Sequence, residues 1–133
     1  MSNHYHLLIR ARQASLAKLM SPLLGGFAGS YNRRKHRSGY VFQNRFQSIL
    51  CEEDSYFLEL VRYIHLNPLR AGLIESLTEL DKYPWTGHSA LMGKTRCEWL
   101  AVKDVLSHFA DRSSLARSRY RLFIENVMET RGN

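Results

Sequence analysis

Asn3-His4-Tyr5-His6-Leu7-Leu8-Ile9-Arg10 alternates polar and apolar side chains and then closes on an apolar run. In a strand, successive side chains leave on opposite faces, so His4 and His6 project together while Tyr5, Leu7 and Ile9 point into a core. The stretch predicts a strand over 3–10 that carries two imidazoles on one pleat. Imidazole is the commonest metal ligand among side chains, and two on one pleat hold an ion if a third group arrives from elsewhere. Paired histidines at sheet edges are also commonly solvated or hydrogen-bonded, so the pair alone leaves both readings open.

Working outward, 13–35 reads as helix, with a break expected near Pro22 because an interior proline costs about 3 kcal/mol relative to alanine. Ser38-Gly39 ends it, and Tyr40 to Leu50 is a second expected strand, with Phe42, Phe46 and Leu50 alternating against Gln43, Arg45 and Gln47. Asp54 is the expected N-cap of a helix over 55–67 that Pro68 stops. Val61 and Ile64 fall within about 40° of Phe57 and form its expected buried stripe, and Tyr63 and Asn67 lie about 40° apart on the flank. His65, about 200° from Tyr63, does not share its site and reads as structural or surface. Tyr83 to His88 reads as a loop with aromatic anchors, His36 and His88 as solvated or near DNA, and 98–109 and 113–128 as two helices.

The 133 residues suffice for one core. No signal peptide and no membrane-spanning run stands out, which makes the cytoplasm the expected compartment, and Cys51 and Cys97 form no metal or disulfide pattern. Nineteen Lys plus Arg against 12 Asp plus Glu give a net charge of +7, a balance that favours a polyanionic partner, nucleic acid before membrane. Arg33-Arg34-Lys35-His36-Arg37 is flanked by Tyr31 and Tyr40, the cation-plus-aromatic composition of a single-strand binding surface. It is equally the composition of a solvated helix end, whose carbonyls attract cations. Arg45 on the polar face of the second strand joins the candidate DNA contacts, while Arg117, Arg119 and Arg121 either touch phosphate or cover the sheet.

Tyr63 alone is a packing tyrosine and Asn67 alone a helix terminator; with His4 and His6 they make a chemical proposal. Two imidazoles and an amide oxygen leave open positions on a metal for a phosphate, and a tyrosine one turn from the amide stands over it. Forming phenolate at pH 7 costs about 4 kcal/mol, which a nearby cation offsets in part. A covalent phosphotyrosine conserves the phosphodiester energy, so the chemistry is strand transfer.

Ser2-Asn3-His4-Tyr5-His6-Leu7-Leu8-Ile9, Tyr31-Asn32-Arg33-Arg34, Gly39-Tyr40-Val41-Phe42-Gln43-Asn44-Arg45-Phe46 and Val61-Arg62-Tyr63-Ile64-His65-Leu66-Asn67-Pro68-Leu69-Arg70-Ala71-Gly72 together resemble the single-tyrosine HUH transposases of insertion sequences, most closely the REP-associated branch. The resemblance covers about residues 1–92 and leaves 93–133 as a C-terminal helical extension. It implies His4, His6 and Asn67 as ligands of Mg²⁺ or Mn²⁺, Tyr63 as nucleophile, and cleavage and rejoining of single-stranded DNA near hairpins through a 5′-phosphotyrosine. The fold it implies is α+β, a partial ferredoxin-like (HUH) sheet of two remaining strands with packed helices. The family's first strand, first helix and second strand have no counterpart in this sequence, so the remaining strands are expected to expose edges and to draw two copies into a homodimer. The same loss leaves a second expectation beside strand transfer: an inactive fragment that binds single-stranded nucleic acid without cutting it.

Overall fold

The computed structural model describes residues 3–129, and for 53–55, 128 and 129 the backbone alone. Ser2, the first residue of the first matching block, lies outside the described residues, as does Met1. Among the described residues the architecture is all-helical, with 53% helix and no strand, which overturns the α+β expectation and its ferredoxin-like sheet. Among the described residues six helices follow in order: α1 (Leu16–Arg34), α2 (Glu53–Arg70), α3 (Leu77–Lys82), α4 (His88–Leu91), α5 (Val102–Ser107) and α6 (Ser113–Glu129). They divide into two units, one taking in the described residues of Met1–Leu8 and Glu52–Asn133, the other Ile9–Cys51.

The two expected strands fail for one reason. A strand satisfies its backbone N–H and C=O groups only through a neighbour, and a period-two pattern without a neighbour has nothing to pair with. Residues 4–10 and 45–50 therefore run as irregular chain. Of the side chains expected to point into a core, Tyr5, Leu7, Phe46 and Leu50 are exposed and Ile9 and Phe42 are half-buried. Without strands among the described residues, the strand-edge argument for a homodimer loses its premise.

Neither proline acts as expected. α1 runs through Pro22 and α2 through Pro68, because the fixed φ of proline is itself helical and each ring removes one N–H from an otherwise continuous ladder. Both helices end in a Schellman motif. Leu73 N–H donates to Pro68 O at 2.9 Å and Gly72 N–H to Leu69 O at 3.2 Å, with Gly72 at φ +70. In α1, Arg37 N–H donates to Asn32 O at 3.0 Å and His36 N–H to Arg33 O at 3.4 Å, and His36 takes φ 51, the left-handed geometry that usually calls for glycine. Glu52, not Asp54, stands at the N-cap of α2.

The core of the larger unit is built where α2, α3, α4, α5 and α6 meet. Val61, Leu66, Leu80, Leu91, Leu106, Tyr120 and Ile124 are buried in one cluster. α2 keeps Val61 and Phe57 on that core as expected, but Ile64 stays outside it. Instead His65, Leu66, Asn67 and Pro68 are all buried, so at these four consecutive residues α2 is covered well beyond one stripe. The helix expected over 98–109 is confined to Val102–Ser107, and that expected over 113–128 is α6. α3, absent from the sequence reading, is held by Ser76, whose Oγ accepts from Glu79 N–H at 3.2 Å while Glu79 Oε2 accepts from Glu75 N–H at 2.9 Å.

Candidate functional site

Within the larger unit, the N-terminal segment lies against α2. The His4 and His6 rings stand edge-on with centroids 5.4 Å apart, and the His6 ring lies 6.0 Å from that of Tyr63. Tyr63 is 47% exposed. Three of the four residues singled out for chemistry thus converge although the strand expected to carry two of them does not form. Asn67 follows one turn after Tyr63 and is buried, with its Nδ2 lacking any hydrogen-bond partner.

The two imidazoles could share a small cation. Two imidazoles that share one ion through bonds of about 2.1 Å place their centroids roughly 5 Å apart, the spacing found. His4 Nδ1 is hydrogen-bonded to Asn3 Oδ1 at 2.9 Å, which makes Nδ1 the protonated nitrogen and leaves the Nε2 lone pair for a metal. The Asn67 amide has no protein group holding its nitrogen, so a half-turn presents its oxygen. Among the described residues no three His, Cys, Asp or Glu side chains are grouped to hold a metal.

One residue beside Tyr63 escaped the sequence reading. The Arg70 guanidinium carbon lies 5.3 Å from the centroid of the Tyr63 ring. The signal was present: seven residues on a helix return to within about 20° of the starting direction. Tyr63 and Arg70 line an open pocket of about 510 Å³ together with Tyr56 from α2 and Val127 from α6.

The smaller unit holds the basic cluster. Arg33 and Arg34 occupy the last turn of α1, the helix-end arrangement in which cations face carbonyls. Arg37 places its guanidinium 5.6 Å from the Tyr31 ring and donates to Tyr40 O at 3.3 Å. Tyr31 in turn stacks on Phe27 at 6.0 Å, and Phe27 meets Phe42 at 5.9 Å. Arg33, Arg34, Lys35, Arg37 and Arg45 are all exposed. Arg45 projects from irregular chain, not from a polar strand face.

A second cluster of titratable groups is buried and belongs to the scaffold. Tyr120 Oη lies 2.9 Å from His65 Nδ1 and 2.8 Å from His88 Nδ1, and His88 Nε2 lies 2.7 Å from Asp81 Oδ1. The Asp81 carboxylate accepts only, so His88 carries its proton on Nε2 and accepts at Nδ1 from Tyr120 O–H. Tyr120 Oη then accepts from His65 Nδ1–H. Burial, first, and the unfavourable neighbour His88 push His65 down to about 3. Burial also lowers His88, against the opposing pull of Asp81, and raises Tyr120. His88, expected in solvent or near DNA, is fully buried, because Gly87 lets the chain turn α4 inward against His65. Arg117 donates to Leu91 O at 3.0 Å, Arg119 to Phe109 O at 2.8 Å, and Arg121 pairs with Asp81 at 3.4 Å. All three arginines of α6 therefore tie helices and loops together.

No family model matches the sequence, and neither a curated protein nor a solved structure matches it. Among the described residues no helix is long and apolar enough to cross a membrane.

Proposed function

We propose that this chain is a metal-dependent, tyrosine-type transposase that cleaves and rejoins single-stranded DNA at hairpin-containing ends in the cytoplasm. The observation that carries the reading is the convergence of His4, His6 and Tyr63, brought from distant parts of the sequence to ring separations of 5.4 and 6.0 Å. The resemblance of the four sequence blocks to single-tyrosine HUH transposases points the same way. His4, His6 and Asn67 would hold Mg²⁺ or Mn²⁺, which when bound supplies Lewis-acid polarisation of a phosphate. Tyr63 Oη attacks the phosphorus: the new bond is P–O(Tyr63), the broken one P–O3′, the phenolic proton leaves to solvent, and the departing 3′ oxygen takes one up. Attack of a 3′-hydroxyl on the 5′-phosphotyrosine reverses these steps and rejoins the strand. Arg33, Arg34, Lys35, Arg37 and Arg45 supply the phosphate contacts of the smaller unit.

The test is incubation of the chain with labelled hairpin oligonucleotides and Mn²⁺, followed by denaturing electrophoresis. A protein–DNA adduct forms with the natural chain and is lost in Tyr63→Phe, and an adduct that persists in that variant sinks the assignment. A second reading is favoured by the absence of a sheet among the described residues: binding without cleavage. It predicts salt-sensitive binding, with the slope of log K against log salt falling by about 0.7 per phosphate-contacting cation removed, and no adduct.

A further inference from the structure

We infer that the smaller unit, Ile9–Cys51, selects single strands over duplex, with Tyr40 as a base-stacking platform beside the phosphate contacts of Arg33, Arg34 and Lys35. The inference rests on the proposed contact of this unit with single-stranded DNA and is independent of cleavage at Tyr63. Eight of the 19 lysines and arginines lie in this unit, and none of the 12 acidic residues does. The rest of the chain sets 11 cations against those 12 anions, so the whole positive excess is carried by Ile9–Cys51. No carboxylate is available inside the unit to neutralise Arg33, Arg34 or Lys35, and all three are exposed.

A helix end accounts for little of this charge. The C-terminus of a helix carries about half a negative elementary charge, whereas residues 33–37 hold three arginines and a lysine. The surplus suits a polyanion. Tyr40 stands beside it with almost none of its surface packed: it is 95% exposed. The backbone on which it sits is nevertheless tied down. Asn32 Nδ2 donates to Gly39 O at 2.9 Å and the Arg37 guanidinium to Tyr40 O at 3.3 Å, while Gly39 takes the φ of +98 that the turn requires. An anchored turn thus holds out a bare ring, which has little backbone freedom left to lose on stacking. Every base has a face to offer such a ring, but in a duplex those faces are already covered by their neighbours.

Leu19, Leu23 and Phe27 are exposed on α1 and would also suit a lipid surface. A helix lying in a membrane interface carries its cations along the polar face. In α1 none lies between Leu19 and Asn32, and the cations gather at the end that meets Tyr40. That distribution favours nucleic acid.

The experiment uses the full chain carrying Tyr63→Phe, so that binding is read without chemistry, with fluorescein-labelled oligothymidylate or a duplex of the same length. Anisotropy titrations at several salt concentrations compare this parent with the added changes Tyr40→Ala, Tyr40→Phe, Lys35→Ala and Lys94→Ala, each checked for unaltered thermal unfolding. Tyr40→Ala is expected to weaken single-strand binding about tenfold, the worth of one stacked base, while its duplex binding and the single-strand binding of Tyr40→Phe stay within about twofold. Lys35→Ala reduces the single-strand salt slope by about 0.7, whereas Lys94→Ala, at an exposed position of the larger unit, leaves it unchanged. Equal single-strand affinity of the parent and Tyr40→Ala overturns the inference, as does an equal loss on duplex, a slope that falls with Lys94→Ala and not with Lys35→Ala, or no binding by the parent. Capture of the parent on phosphatidylcholine–phosphatidylserine vesicles that excess oligothymidylate does not reverse also overturns it, and assigns the surface to lipid. Loss of single-strand affinity in Tyr40→Ala with no adduct in the natural chain upholds the inference and rejects strand transfer. An adduct in the natural chain, with affinity unchanged by Tyr40→Ala, does the reverse.

Discussion

Lowering the pH from 8 to 5 should remove about 2 kcal/mol from the stability of the larger unit through His65 alone. Unfolded histidine titrates near 6.5, whereas burial and His88 hold His65 at about 3 in the folded chain. Between those values the unfolded state binds a proton that the folded state refuses, so stability is fully present above pH 6.5 and is lost as the pH falls towards 3. At pH 5 the loss is about 1.5 pH units at 1.36 kcal/mol each, or about 2 kcal/mol. His88 is lowered as well, and it adds a loss of the same sign. Urea unfolding at pH 8, 6.5 and 5, followed by circular dichroism, measures the fall. His65→Gln, which does not titrate, should flatten it by about the His65 share of 2 kcal/mol. An unchanged pH dependence in that variant would refute the buried neutral state assigned to His65.

Three further outcomes follow from named contacts. A β-carbon at Gly87 would meet His65 Nε2 at 2.7 Å and Leu100 Cδ2 at 3.1 Å, so Gly87→Ala should cost about 1–3 kcal/mol in thermal or urea unfolding. His36 sits at φ 51 in a position made for glycine, and His36→Gly should stabilise α1 by about 1 kcal/mol, read as slower amide exchange in its last turn. His4→Ala and His6→Ala should each abolish both the heat of Mn²⁺ binding in calorimetry and the DNA adduct, while the unfolding transition of the core stays in place.

The sequence singled out His4, His6 and Tyr63, whose rings the structure brings together, and it misread the frame that holds them. Tyr63 and Asn67 were placed on one helix flank by spacing alone, and α2 and α6 followed from apolar periodicity. The strands were misread because alternation at His4–Ile9 and Phe42–Leu50 is a property of one segment, whereas pairing requires a second segment that the pattern does not name. His65, read as structural or surface, is buried and structural, whereas His88 was misjudged for a related reason. A helical wheel assigns one buried face, but α2 is covered well beyond one stripe at His65–Pro68, and the partners that make a histidine tolerable there, Tyr120 and Asp81, come from α6 and α3. The short α3 had its own mark in Ser76-Leu77-Thr78-Glu79, a capping box. Arg70 was likewise within reach, two helical turns from Tyr63.

The most direct test of the account is the identity of the residue that carries DNA. After reaction with a labelled hairpin oligonucleotide and Mn²⁺, proteolysis and mass spectrometry should find the nucleotide on the peptide containing Tyr63, attached through the phenolic oxygen. Attachment at Tyr56 or any other residue, or no attached nucleotide at all, would contradict it.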